Sequence, residues 1–262
     1  MRLADIVDTK QYLEGERREQ TVDRCRRAMA DFGSATLDSF VLPDALAEMV
    51  REANSVFRQA YRRENDYTAY TADEAVGDAS HPTRRTHRYA LDAVANDHLD
   101  PSGAMSVLYR DPTFVRFIAD VLQEPELHPL GDPMLGLTLT YLSDGDEHGW
   151  HFDRNDFVVS LLLQGAEEGG VFEFAPFVRS EEDPNFDAVA KIMDGETARL
   201  QRIRATPGTL AIFAGKRSLH HVSPVSGATR RIMALLSYDR VPNLVHEDAV
   251  HMRTFGRALA AR

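Results

Sequence analysis

The residues best suited to chemistry in this sequence are histidines set two positions before a carboxylate. Three such triplets occur: His98 with Asp100, His151 with Asp153, and His246 with Asp248. With ten histidines and 41 acidic residues, composition alone predicts roughly 1.6 of them, so only context makes one informative. His98-Leu99-Asp100 runs into Pro101 between helical segments, and His246-Glu247-Asp248 lies in a polar stretch near the C-terminus. His151-Phe152-Asp153 stands between two expected strands, just before the apolar run Phe157 to Leu163. Residues two apart in extended backbone share a face. His151 and Asp153 can therefore reach one ion while Phe152 packs on the other side. A further histidine would complete two imidazoles and one carboxylate, a set that leaves coordination sites open and suits non-haem iron(II) oxygenases. His220 and His221 are the candidates, and the residues alone do not choose between them.

The elements that must position these groups change character along the chain. Pro43 can open a helix at its first position, with Leu46, Met49, Val50, Val56 and Phe57 continuing an apolar face. Residues 62 to 90 are polar and charged, with Pro82 as a breaker, and are expected to form a long loop. Phe114, Phe117, Ile118, Val121 and Leu122 resume a helical period. From residue 134 the runs become short and bounded by Gly, Pro, Asn and Asp. Met134 to Tyr141, Phe157 to Leu163, Val171 to Phe174, Leu210 to Phe213 and Ile232 to Tyr238 are expected strands of a sandwich or barrel. An acidic segment from 178 to 205 interrupts them, with a short helix at Phe186 to Met193. The fold class is mainly β with a helical N-terminal half. One domain is expected over 1–262: residues 1–130 as support and substrate lid, 131–240 as the metal-binding core, and 241–262 as a C-terminal extension.

Formal net charge is -11, and such a surface repels phosphate backbones, which disfavours nucleic acid as a partner. Cys25 is the only cysteine, which excludes an intrachain disulfide and a thiolate metal cluster. No apolar run approaches the ~20 residues that span a bilayer, and the N-terminus lacks the apolar stretch of a signal peptide. No membrane association and a cytoplasmic location are the expectations. Whether the chain is a monomer or a homodimer stays open.

Four blocks add a resemblance. The segment Tyr141 to Asp153, Gly169-Gly170-Val171-Phe172, Pro207 to Phe213, and His220-His221-Val222-Ser223-Pro224 through Arg230-Arg231 resemble, in order, the iron(II)/2-oxoglutarate-dependent oxygenases. They cover roughly residues 134 to 240 and together are a specific signal. The resemblance implies a distorted double-stranded β-helix, a jelly-roll like that of cupins, with helices flanking it. It implies Fe(II), 2-oxoglutarate and O2 as cofactor and cosubstrates, with hydroxylation coupled to release of succinate and CO2. The family's His-x-Val-x-Pro pattern selects His220 as the distal ligand. Its commonest spacing points to Arg230 for the far carboxylate of 2-oxoglutarate, with Arg231 on the opposite side of the strand as the alternative. A guanidinium suits that carboxylate because its fork pairs bidentately. Tyr141 is a further cosubstrate candidate.

Within that family the His148-Gly149-Trp150-His151 stretch is similar to a group of hydroxylases and halogenases acting on free amino acids. Halogenases of the group replace the metal carboxylate by a small residue, so the presence of Asp153 implies hydroxylation. The resemblance marks His148 for substrate contact and, more loosely, Arg84, Arg85 or Arg88. Arg154 stands where lysine-specific members carry an acidic residue, and Leu235 and Ser237 are less polar than matching positions. These departures speak against lysine itself and make a substrate whose side chain bears carboxylate or phosphate a candidate. The rival functions are a cupin-type isomerase or binding protein without 2-oxoglutarate, and a hydroxylase of protein side chains.

Overall fold

The computed structural model describes residues 1–259, so the last three residues of the expected C-terminal extension lie outside it. The N-terminal part runs α1 (Thr9–Tyr12), α2 (Gly15–Phe32), β1 (Ser34–Leu37), α3 (Pro43–Val56), β2 (Tyr61–Thr68), β3 (Thr86–Val94), α4 (Ala104–Arg110) and α5 (Pro112–Leu122). Strands follow: β4 (His128–Pro129), β5 (Leu137–Leu142), β6 (Glu147–His151), β7 (Val158–Gln164), β8 (Glu168–Gly169) and β9 (Phe172–Ala175). After α6 (Phe186–Met193) come β10 (Gln201–Ile203), β11 (Leu210–Phe213), β12 (Leu219–Val222), β13 (Val225–Ser226), β14 (Arg231–Leu236), β15 (Tyr238–Asp239) and finally α7 (Asp248–Phe255).

The main sheet is antiparallel, in the order β1-β11-β7-β14-β5-β3-β6-β12-β9-β10, with β2 also paired to β3. Its alternation explains where the core lies. Leu137, Leu139 and Tyr141 on β5, Val159, Leu161 and Leu163 on β7, and Ile232, Ala234 and Leu236 on β14 all enter one cluster with Met49, Leu108, Phe114, Phe117 and Ile118 from the helices. Burial of such side chains supplies about 1.5–3 kcal/mol each, and it fixes register, because a slip of one residue would turn every one of them outward. The residues between them, Thr138, Thr140 and Leu142 or Arg231, Met233 and Leu235, occupy the opposite face.

The stretch expected as a loop over 62–90 contains β2 and most of β3, paired in register from Tyr61↔Ala93 to Thr68↔Thr86. Its charges are those of an edge strand. Arg62 reaches Asp92 across the ladder, and Arg88 reaches Glu64, the type of decoration that keeps an exposed edge in solution. Strand β3 also joins the two halves of the main sheet, pairing with β5 at Asp92↔Tyr141 and with β6 at Tyr89↔His148.

The C-terminal helix is tied to the barrel by one buried carboxylate. Asp132, 1% exposed, accepts from the backbone N–H groups of Met134, Leu135 and His246 and from Nε2 of the fully buried His251. Among the described residues no helix is long and apolar enough to cross a membrane.

Candidate metal centre

Strands β6 and β12 are neighbours, and their ladder sets His151 directly opposite His220. Asp153 lies just past the end of β6, where its backbone N–H donates to the Gly215 carbonyl at 3.1 Å. The expectation that His151 and Asp153 share one extended strand is thus met only in part: the strand aims the histidine, and a loop contact aims the carboxylate. Asp153 Oδ1 is 3.7 Å from His151 Nε2, and Oδ2 is 3.5 Å from His220 Nε2. The donor atoms of all three side chains lie within 4.8 Å of one another, close enough to share one ion.

The tautomers suit a metal. His151 Nδ1 donates to the Gly149 carbonyl at 2.9 Å, and His220 Nδ1 donates to the Ser218 carbonyl at 2.8 Å. Each Nε2 therefore points its lone pair at the common centre. Burial, with His220 alongside, pushes the His151 imidazole down to about 3, so it is neutral at ordinary pH, the form that binds a cation. Burial opposes ionisation of Asp153, but the adjacent histidines outweigh it and keep the carboxyl below its usual range. The three side chains form the one cluster of metal-ligand type among the described residues.

His221 points away, as the register requires. Its Nε2 meets Glu173 Oε2 at 2.8 Å, and its ring packs on Trp150 at 3.9 Å. Phe152 turns out of the centre into a cluster with Tyr70 and Val178, with the Arg179 guanidinium 3.7 Å over its ring.

A family model described as HalD, Halogenase D, matches residues 17–254. The chain belongs to the Halogenase D family. No curated protein matches the chain. Among solved structures it is similar to AviO1 from Streptomyces viridochromogenes Tue57, at 18% identity and TM-score 0.57 over 84% of this chain and 95% of that one. It is also similar to the non-haem alpha-ketoglutarate-dependent epimerase SnoN of nogalamycin biosynthesis, at 16% identity and TM-score 0.56, covering 84% and 81%. A third is an oxidoreductase of the 2OG-Fe(II) oxygenase family from Burkholderia pseudomallei, at 17% identity and TM-score 0.51, covering 84% and 91%. These likenesses establish the fold as the distorted double-stranded β-helix.

In this Halogenase D family chain Arg230, just before β14, and Arg231, its first residue, part company. Arg230 stacks over the Phe57 ring at 3.8 Å, on the helix-backed side of the sheet. Tyr141 lies on that side too, donating its hydroxyl to the Ala53 carbonyl at 2.8 Å and meeting Phe57 edge-on. Neither belongs to the face that carries the metal ligands. Arg231 is on the other face of β14, 7% exposed and without an ion pair among the described residues. Burial pushes its guanidinium down to about 10, and its field helps keep His148 neutral. Gly170 makes room for it, since a Cβ there would stand 2.9 Å from the Arg231 Cδ.

His148 stacks on the His151 ring at 3.8 Å and 12°. Burial, with His151 and His220 beside it, lowers its imidazole well below the usual range. The other substrate candidates are engaged by their neighbours or exposed. Arg84 donates to the Gly77 carbonyl, Arg85 to the Ser80 carbonyl and Asp194, and Arg88 to the Gly145 carbonyl and Glu64. Arg154 is exposed, and the nearby Asp156 pairs with Lys216 and Arg240. Ser237 lies beyond the end of β14, six residues or roughly 20 Å along the strand from Arg231, with its backbone bonded to Leu130, Gly136 and Tyr109.

The structure also brings in residues that sequence reasoning passed over. Tyr67 on β2 donates to the same Gly149 carbonyl that holds His151, at 2.8 Å. Tyr89 meets His148 edge-on at 4.6 Å, and Arg63 lies 4.4 Å over the Tyr89 ring. Their signal was the alternation Arg63, Asn65, Tyr67, hidden by the charged residues between.

Proposed function

We propose that this chain is an iron(II)- and 2-oxoglutarate-dependent oxygenase that hydroxylates a C–H bond of a small polar metabolite, a free amino acid or related compound. The observation that carries this reading is a His-Asp-His cluster with both histidines buried and each Nδ1 held by a backbone carbonyl, in a barrel that also holds the buried Arg231, without an ion pair among the described residues. A lone buried cation is costly unless a ligand pairs with it. The donor set fits iron(II), and the arginine fits the far carboxylate of 2-oxoglutarate. Held by these residues, the metal and cosubstrate would supply O2 activation for C–H oxidation, coupled to release of succinate and CO2.

The chain's own residues do the positioning. The carbonyls of Gly149 and Ser218 fix the tautomers of His151 and His220, and Gly215 holds Asp153 towards them. Arg231 orients the cosubstrate by its bidentate fork. His148, stacked on a ligand ring, faces the substrate. Arg230 and Tyr141 are left to the packing of β14 and β5 against α3.

Halogenation is the second reading, favoured by the description of the family. Against it stands Asp153, a carboxylate where halogenases of the resembling group carry a small residue and which would hold the metal position a halide would need. The test is incubation with iron(II), 2-oxoglutarate and O2 against metabolite pools, with and without chloride. Succinate release and a product that gains one oxygen are expected. Chlorinated product from the native protein would move the assignment to halogenase, and no consumption of 2-oxoglutarate under any condition would leave a cupin-type activity.

A further inference from the structure

We infer that the groove between the two ends of the main sheet is a docking site for an extended acidic segment of a partner protein, which adds a strand there. Such docking goes beyond the oxygenase chemistry and does not depend on it. Strands β1 and β10 end the sheet, and each has a single neighbour, β11 and β9 respectively. Both line one open cavity of about 420 Å³, with α2 as its side wall. The register shows which backbone groups of β1 face it. Ala214 donates to the Gly33 carbonyl, and the alternation of an antiparallel ladder then commits Ala35 and Leu37 to β11. The N–H and C=O groups of Ser34 and Thr36 point the other way, where no strand pairs with them. One side of β10 is unpaired as well. A free edge is a template for a further strand, and here two of them open on one groove. The four residues of β1 offer about 13 Å of edge.

The side chains around the groove state what the added strand must carry. Arg202 stands opposite Glu173, and Glu173 opposite His221, so Arg202 and Arg204 belong to the face away from the metal ligands. Ala35 and Leu37 turn to the same outer side, where they pack with Val22 and Cys25 of α2. From that helix Arg24 joins the lining. Arg202 pairs with Glu173, whereas Arg24 and Arg204 make no ion pair among the described residues. Asp38 is the one carboxylate that lines the groove. Three cations against one carboxylate, in a chain of net charge -11, select an anionic partner. The inner side is different. Ile203 lies opposite Phe172, and Phe174 packs edge-on against Phe213, so the groove is apolar towards the barrel. Because a strand alternates its side chains, the segment that fits turns acidic residues outward to the arginines and apolar ones inward.

The test uses fluorescein-labelled heptapeptides in which Glu alternates with Val, Thr or Phe, titrated with the wild-type chain and read by fluorescence anisotropy. Saturable binding of at least one is expected. Peptides with Lys in place of Glu, and a copy of the binding peptide N-methylated at alternate residues, should bind about tenfold more weakly or worse. The double variant Arg24→Gln/Arg204→Gln should lose about tenfold in affinity. Thr36→Pro removes an edge N–H that β11 does not use, so the fold is kept while affinity falls about tenfold. Circular dichroism verifies that each variant is folded. No binding by any of the three acidic peptides, or unchanged affinity in the double variant, overturns the docking site. Full affinity of the N-methylated peptide would reduce the groove to a site for anions without strand pairing, which also overturns it. Self-association of the chain alone, seen by sedimentation and abolished in the double variant, would assign the groove to a second copy instead.

Discussion

The Asp153 carboxylate occupies the space that a side chain on Gly215 would need: a Cβ there would stand 1.7 Å from Asp153 Oδ2. The third ligand is therefore positioned by a glycine more than sixty residues away in sequence. Gly215→Ala must displace either the carboxylate or the loop that carries it. Groups that orient metal ligands are worth about 10–100-fold in affinity, and a loss of that size is expected in a cobalt(II) titration of the variant. Tight binding with unchanged spectra would show that the loop absorbs the methyl group.

Tyr67 offers a contrast. Its hydroxyl shares the Gly149 carbonyl with His151 Nδ1, so Tyr67→Phe leaves the histidine's own bond in place. Stability should fall by about 1 kcal/mol in urea unfolding, while metal affinity stays at the wild-type value. A large loss of affinity would mean that the tyrosine orients the ligand.

The opposite placements of Arg230 and Arg231 separate their variants. Arg231→Met removes an uncompensated buried charge, and the protein without cosubstrate should gain about 1 kcal/mol or more. The same variant should lose the stabilisation that added 2-oxoglutarate gives the wild type. Arg230→Met should cost about 0.5–1 kcal/mol of cation–π contact with Phe57 and keep the response to 2-oxoglutarate. Thermal melts with and without 2-oxoglutarate decide, and a lost response in Arg230→Met would reverse the two roles.

Asp153→Gly tests the choice of reaction. It frees a metal position beside Gly215, where nothing larger than a glycine now fits. Hydroxylation should drop to background, and chloride-dependent product should appear in mass spectra if the remaining contacts tolerate a halide. Hydroxylation at the native rate in this variant would exclude Asp153 as a ligand.

Asp132 ties α7 to the barrel. Burial alone would raise its carboxyl, but the N–H groups of His246, Met134 and Leu135 and the His251 ring outweigh this and hold it below the usual range. A depressed folded value stabilises above the unfolded value of about 3.9. That contribution is lost as pH falls through the lower, folded value. Asp132→Asn should cost about 2–4 kcal/mol at neutral pH, with the deficit relative to wild type shrinking on acidification below about pH 4. A deficit independent of pH, read from urea midpoints, would assign the loss to packing.

Much of this protein was legible in its residues because the information was local. Short apolar runs bounded by turn residues located β7, β11 and β14, Pro43 located the start of α3, and an apolar helix face located α5. The ligands His151, Asp153 and His220 were accessible through strand context and family spacing. What sequence hid was decided by distant packing. β2 and β3 looked like a loop because an edge strand carries its charges on the exposed side, and only pairing with β5 and β6 reveals it. Arg230 and Arg231 are neighbours of identical type, and which one faces the metal depends on a single-residue register set by burial of Ile232, Ala234 and Leu236 against the helices. Arg84, Arg85 and Arg88 carry the charge the sequence suggested, and only the structure shows that Arg84 donates to a backbone carbonyl while Arg85 and Arg88 also form ion pairs. Among the described residues Arg63 has no side-chain ion pair, because strand alternation turned it to the face opposite Glu64 and Asp66. Residue types thus determined which chemistry was available, and the tertiary structure, by choosing a face for each side chain, decided which residues could perform it.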